Sequence, residues 1–148
     1  SKEGKRYSSN EQINKDNVAQ LRVAWNFSSH YRDTGNHSQN QCNPIMVSGI
    51  LYGVTPKLKL FALNAASGEQ KWIFDPAEED SSAKNDPYAF FKVTRGVIYW
   101  QNEKGTDKRI IYSAGSKTYT INIADGKPVR SFGKNVSIEL TANLDRDS

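Results

Sequence analysis

The 148-residue sequence predicts an all-β fold, part of a β-propeller made of about two four-stranded antiparallel blades and an N-terminal segment. Three observations predict it. Short runs rich in Val, Ile, Tyr and Phe are punctuated by Gly-, Asn- or Ser-containing turns at intervals of roughly 8–12 residues, the rhythm of all-β domains. No run supports a helix longer than two turns. One pattern also occurs twice: "LFALNAASGEQKW" and "TYTINIADGKPVRSF" superpose with Ala62 on Thr120, Leu63 on Ile121, Asn64 on Asn122 and Gly68 on Gly126, a constant offset of 58 residues. A sandwich need not repeat itself, whereas a propeller blade does.

The elements follow in order. "INKDNVAQL" suggests one or two helical turns capped by Asn14, with Val18 and Leu21 on one face. "RVAWNF" (Arg22 to Phe27) reads as a strand, and a polar loop carrying His30 and His37 follows it. Ser48-Gly49 turns a hairpin between Ile45–Val47 and Ile50–Thr55. "KLKLFALN" alternates, with Leu58, Leu60 and Ala62 on one side and Lys57, Lys59 and Phe61 on the other. Ser67-Gly68 turns the chain into the return strand "EQKWIFDP", and the acidic "AEEDSSAKNDPYAF" reads as a surface loop. Strands resume in "KVTRGVIYWQ", "RIIYSAG", "KTYTINI" and, after the Asp125-Gly126 turn, "KPVRSFG". The second copy is degenerate, because Arg130 stands opposite Trp72. The resulting division is an N-terminal segment and loop (1–40), a first blade region (41–76), an acidic surface loop (77–92) and a second blade region (93–148).

Composition narrows the function classes. An apolar share of 36% and a mean hydropathy of −0.71 are low, yet 16 aromatic residues (3 Trp, 7 Tyr, 6 Phe) can build a core from few side chains. The net charge of +4 arises from 20 basic and 16 acidic residues mixed along the chain, which gives no nucleic-acid footprint. The apolar runs fall short of the ~20 residues of a membrane-spanning helix. Cys42 is the one cysteine, so neither an intrachain disulfide nor a Cys-based metal site is expected. It reads as a small, half-buried strand residue.

"A-L-N-A-A-S-G-E-Q-K-W" resembles the tryptophan-docking motif of the quinoprotein alcohol and glucose dehydrogenases, Ala-x-Asp-Ala-x-Thr-Gly-Lys-x-x-Trp, with Asn64, Ser67 and Glu69 as mild departures. "RYSSNEQINKDNVAQLRVAW" is similar to that family's opening segment, "QCNPIMVSGILYGVTP" to its first full blade and "RGVIYW" to its Arg-Gly-x-x-Tyr-Trp stretch. "DGKPVRSFG" resembles a turn of the glucose-dehydrogenase branch. The resemblance implies an eight-bladed propeller carrying pyrroloquinoline quinone (PQQ) and calcium. A sugar or alcohol substrate would be oxidised there, with electrons passed to a quinone or cytochrome c, on the periplasmic face of a bacterium. It also implies that calcium ligands and the catalytic aspartate lie outside this chain, so that the stretch is an N-terminal portion, inactive alone. Its partners would then be the remaining blades, and its open sheet edges favour self-association.

Two residues match cofactor positions by that resemblance. Arg95, in "TRGVIYW", matches the arginine that contacts PQQ, and a guanidinium fork suits carboxylate and quinone oxygens. Gln41 stands where the family commonly has a glutamate ahead of "x-x-Pro"; it can hydrogen-bond a quinone but brings no charge. No residue of the chain is expected to be catalytic or to ligate metal. Tyr99-Trp100 reads as strand packing, and the Asn26, Asn36 and Asn135 sequons carry no role. A non-enzymatic propeller acting as an assembly scaffold is the alternative; it would keep the turn-and-tryptophan repeat without "RGVIYW". A free-standing β-sandwich binding module is the third reading.

Overall fold

The computed structural model of the chain describes residues 11–29, 41–79, 94, 96–133 and 136–140. It contains two four-stranded antiparallel sheets. In the first, β1 (Ile45–Val47), β2 (Ile50–Val54), β3 (Leu60–Asn64) and β4 (Gln70–Phe74) lie in chain order. In the second, β5 (Ile98–Gln101), β6 (Lys108–Ala114), β7 (Lys117–Asn122) and β8 (Ser137–Glu139) do the same. A single helical turn, α1 (Pro76–Glu79), follows β4, with the Asp75 carboxylate accepting from the Ala77 N–H at 2.9 Å as its cap.

The 58-residue repeat is a register identity. Leu63 pairs with Gln70, and Ile121 with Pro128, at corresponding places in the two sheets. Both turns are built alike. The Asn64 side chain accepts from the Ala66 and Ser67 N–H groups, and the Asn122 side chain accepts from Ala124. The Gly68 and Gly126 N–H groups then close on the carbonyls of Asn64 and Asn122, with φ of 74° and 71°. Only glycine adopts that backbone without strain.

The core lies between the sheets. The first contributes Tyr52, Val54, Leu60, Ala62 and Phe74; the second contributes Val97, Ile110, Tyr112, Tyr119 and Ile121. Phe74 meets Tyr112 edge-on at 6.2 Å and Tyr119 at 5.6 Å, geometries that aromatic pairs favour. The Tyr112 hydroxyl donates to the Leu58 carbonyl at 3.2 Å across the interface. The rings of Tyr52, Phe74, Tyr112 and Tyr119 thus pack among the aliphatic side chains of one core.

The one or two helical turns expected after Asn14 are realised as a single 3₁₀ turn at Val18–Gln20, and three other expectations need correction. The Asn14 side chain bonds the Asp16 and Asn17 amides locally, and Val18 and Leu21 stay 51% and 58% exposed, so no packing propagates a helix. Arg22 to Phe27 pairs with no strand among the described residues. "KPVRSFG" is not a continuous strand. Pro128 bridges Ile121 and the ladder resumes only at Ser137, because eight residues separate those positions where two, Lys71 and Trp72, separate Gln70 from Ile73. Finally, Trp100 is 42% exposed on the open face of the second sheet, with the Arg109 guanidinium 5.2 Å from its ring centroid. The acidic stretch after Glu79 lies outside the described residues up to Thr94.

Candidate functional site

The first strands of the two sheets approach each other just ahead of where each begins. Asn43 and Gly96 form a parallel bridge there, two residues before β1 and two before β5. Gln41 is exposed and precedes Asn43 by two residues; Arg95 precedes Gly96 by one. Arg95 itself lies outside the described residues, while its neighbour Thr94 is half-buried, with its hydroxyl 3.4 Å from the Gly96 carbonyl. Segments 41–49 and 92–98 contain no aspartate or glutamate, yet carry Gln41, Asn43, Thr94 and the cations Lys92 and Arg95. The bridge therefore joins two stretches rich in hydrogen-bond donors and free of negative charge.

Cys42 lies between Gln41 and Asn43. Its sulfur accepts a hydrogen bond from the Val54 N–H at 3.3 Å, and burial pushes the thiol pKa up. A neutral, hydrogen-bonded thiol is a packing residue, not a nucleophile. Among the described residues no three His, Cys, Asp or Glu side chains group as a metal site. A groove of about 600 Å³ runs from Thr94 and Gly96 across Ile98, Ile111, Ser113 and Thr118 on the open face of the second sheet. Another, of about 440 Å³, lies between the sheets at the far end of β1, beside Val47, Tyr52, Tyr99 and Lys108.

Tryptophans fasten these sheets. The Trp72 indole N–H donates to the Ile123 carbonyl at 2.9 Å, and its ring lies where a Cβ on Gly126 would intrude to 2.7 Å. The Trp25 indole does the same to the first sheet, donating to Ala65 at 3.0 Å over Gly68, whose Cβ would intrude to 2.6 Å. Each docking glycine is thus required twice, for its positive φ and for the ring stacked against it.

The family model for the glucose/ethanol/alcohol dehydrogenase β-propeller domain, the PQQ family, matches residues 1–148. The chain belongs to this quinoprotein family. It is 34% identical over 96% of its length to the quinoprotein glucose dehydrogenase of Escherichia coli (strain K12), covering 19% of that relative. It is 37% identical over 66% of its length to the dehydrogenase subunit of the quinone alcohol dehydrogenase of Gluconobacter oxydans (strain 621H), covering 12% of it. A quinate/shikimate dehydrogenase (quinone) of Acinetobacter baylyi is 34% identical over 67% of the chain and is covered over 12% of its own length. The chain thus spans less than a fifth of these relatives.

Within this quinoprotein stretch, sequence reading had overlooked two things. Asn43 as the bridge residue had one signal, a polar residue before Pro44 at a strand start. Trp25 as a docking residue had a stronger one: "VAWNF" and "QKWIF" share Trp-x-Phe 47 residues apart (Trp25 to Trp72).

Proposed function

We propose that the chain is the N-terminal part of a PQQ-dependent dehydrogenase oxidising a glucose-type sugar or an alcohol, and that the corner at the Asn43–Gly96 bridge holds part of the cofactor. The bridge carries this reading, because it draws together the segments that contain Gln41 and Arg95. The donor set fits the group. PQQ bears three carboxylates, and the two segments offer a guanidinium, amides and a hydroxyl with no acid to repel it. Arg95 would hold a carboxylate or quinone oxygen through paired N–H donors, and Gln41 would donate to a second oxygen. Gln41 and Arg95 would bind and orient the cofactor without moving a proton. When bound, PQQ supplies the hydride acceptor, and calcium held by residues outside this chain supplies Lewis acidity.

A sugar substrate is favoured by the glucose dehydrogenase relatives, which match more than nine-tenths of the chain where the alcohol relatives match about two-thirds to four-fifths. The acceptor would be a quinone or cytochrome c, and the site would face the bacterial periplasm. The remaining blades would complete the ring, and the stretch alone would be inactive and would self-associate through its open faces. Reduction of an artificial dye by the full-length protein, loaded with PQQ and Ca²⁺ and offered sugars and alcohols, tests the activity. Turnover that needs both additions is expected. Inactivity on every substrate despite confirmed PQQ binding sinks the dehydrogenase reading and leaves the scaffold.

A further inference from the structure

The groove of about 440 Å³ at the far end of β1 is walled on both sides by sheets of this chain. Val47 and Ile50, on the hairpin of β1 and β2, line it from the first sheet, and Lys108 and Ile123 line it from the second. Ile123 is held from two directions. Its N–H donates to the Lys108 carbonyl at 3.2 Å, and its carbonyl accepts from the Trp72 indole at 2.9 Å. The second wall is therefore fixed before any ligand arrives, and the volume falls in the range of small-molecule sites, roughly 300–1,000 Å³.

The polar groups here exceed what packing needs. Tyr52 lines the groove with only 2% of its surface exposed, and its hydroxyl has no hydrogen-bond partner among the described residues. Tyr52 pairs with Ala62, and the equivalent pair in the second sheet is Ile111 with Thr120, so the sheet itself requires no phenol at this position. Burial first, and then the Tyr99 phenol, raise the pKa of Tyr52 above the ordinary 10.0, so its proton stays in place at neutral pH. Tyr99, on the same groove, already donates its own O–H to Gln101 Oε1 at 2.9 Å. Lys108 is the one charged residue of the lining, which holds no aspartate or glutamate. Its ammonium has no ion-pair partner among the described residues, because the adjacent Asp107 carboxylate is taken by Arg109.

We propose that this groove binds a small organic monocarboxylate with a flat apolar body, of the benzoate class. The Lys108 ammonium meets the carboxylate and the Tyr52 O–H donates to it, both charge-assisted contacts. The ring lies among Ile50, Ile123 and the two tyrosine rings, where apolar surface leaves water. One cation with no acid beside it suits a single negative charge; a second charge on the ligand would find no counterpart. None of Gln41, Arg95 or PQQ takes part, so the site stands or falls separately from the proposed activity.

Calorimetric titration of the cofactor-free full chain with sodium benzoate tests this, with neutral benzamide as the control of equal shape. Saturable benzoate binding is expected, with benzamide weaker by about tenfold or more. Lys108→Gln and Tyr52→Phe should each weaken benzoate by about tenfold with thermal unfolding unchanged, whereas Arg95→Ala should leave benzoate binding as it was. Failure of benzoate to saturate, equal affinity for benzamide, unaltered benzoate affinity in either groove variant, or its loss in Arg95→Ala each overturns the proposal.

Discussion

Trp72 makes two separable contributions, a ring against Gly126 and an N–H on a carbonyl of the neighbouring sheet. Trp72→Phe keeps most of the first and loses the second, leaving the half-buried Ile123 carbonyl unpaired; about 1–2 kcal/mol of unfolding free energy should go with it. Trp72→Ala empties the site and should cost about 3–5 kcal/mol, both read by denaturant unfolding of the full chain. Equal losses for the two variants would mean that the ring contributes little beyond its hydrogen bond. Tyr112 gives the pH signature. Burial first, then Tyr119 and Asp75, push its phenol well above the ordinary 10.0. Below that value the phenol is neutral in both states and stability is untouched. Above it the unfolded phenol ionises while the folded one does not, so stability falls as pH rises, by up to about 1.4 kcal/mol per pH unit for this group. Tyr112→Phe should lose the Leu58 hydrogen bond at every pH but fall less steeply above pH 10 than the unsubstituted chain; parallel curves would refute the assignment.

At the scale of elements, most strands were legible because turn chemistry marked their ends. Ser48-Gly49 and the Asn64 and Asn122 turns stand where the residues placed them, and β1, β2 and β7 begin and end within a residue or so of expectation. The second sheet's outer strand was not legible. Val129 and Phe132 are strand-like residues after Pro128, and only the register shows that the ladder resumes as late as Ser137. Residues 22–27 misled for the opposite reason: their pattern is that of a strand, but strand pairing depends on a partner distant in sequence. Of the candidate site, residue types were legible and geometry was not, since a parallel bridge between Asn43 and Gly96 has no local signal. The open face of the second sheet makes a prediction of its own. Ile98, Ile111 and Thr118 sit in register with Ile45, Tyr52 and Leu60, which form core in the first sheet. If a further sheet covers that face in the full chain, Ile98→Asn should cost about 1–3 kcal/mol despite 65% exposure here. A loss below about 0.5 kcal/mol, the range of a surface substitution, would mean that nothing covers it.

The whole molecule is defined by its incomplete surfaces as much as by its core. Two sheets share one interior, Met46 is exposed behind the first sheet, and a groove opens in front of the second beside Gly96. Propeller construction explains this economy, since each sheet is one wall of two interfaces and no sheet buries both its faces alone. Under the proposed reading it also explains why the cofactor corner would lie at strand starts, since the Asn43–Gly96 bridge is where the backbones of successive sheets meet. The central claim is that this corner holds PQQ, and the PQQ dissociation constant of the full chain carrying Arg95→Ala tests it most directly. Loss of a charge-assisted pair, about 1.5–3 kcal/mol, predicts affinity weakened at least tenfold with unchanged thermal unfolding of the cofactor-free protein. An unaltered dissociation constant would contradict it.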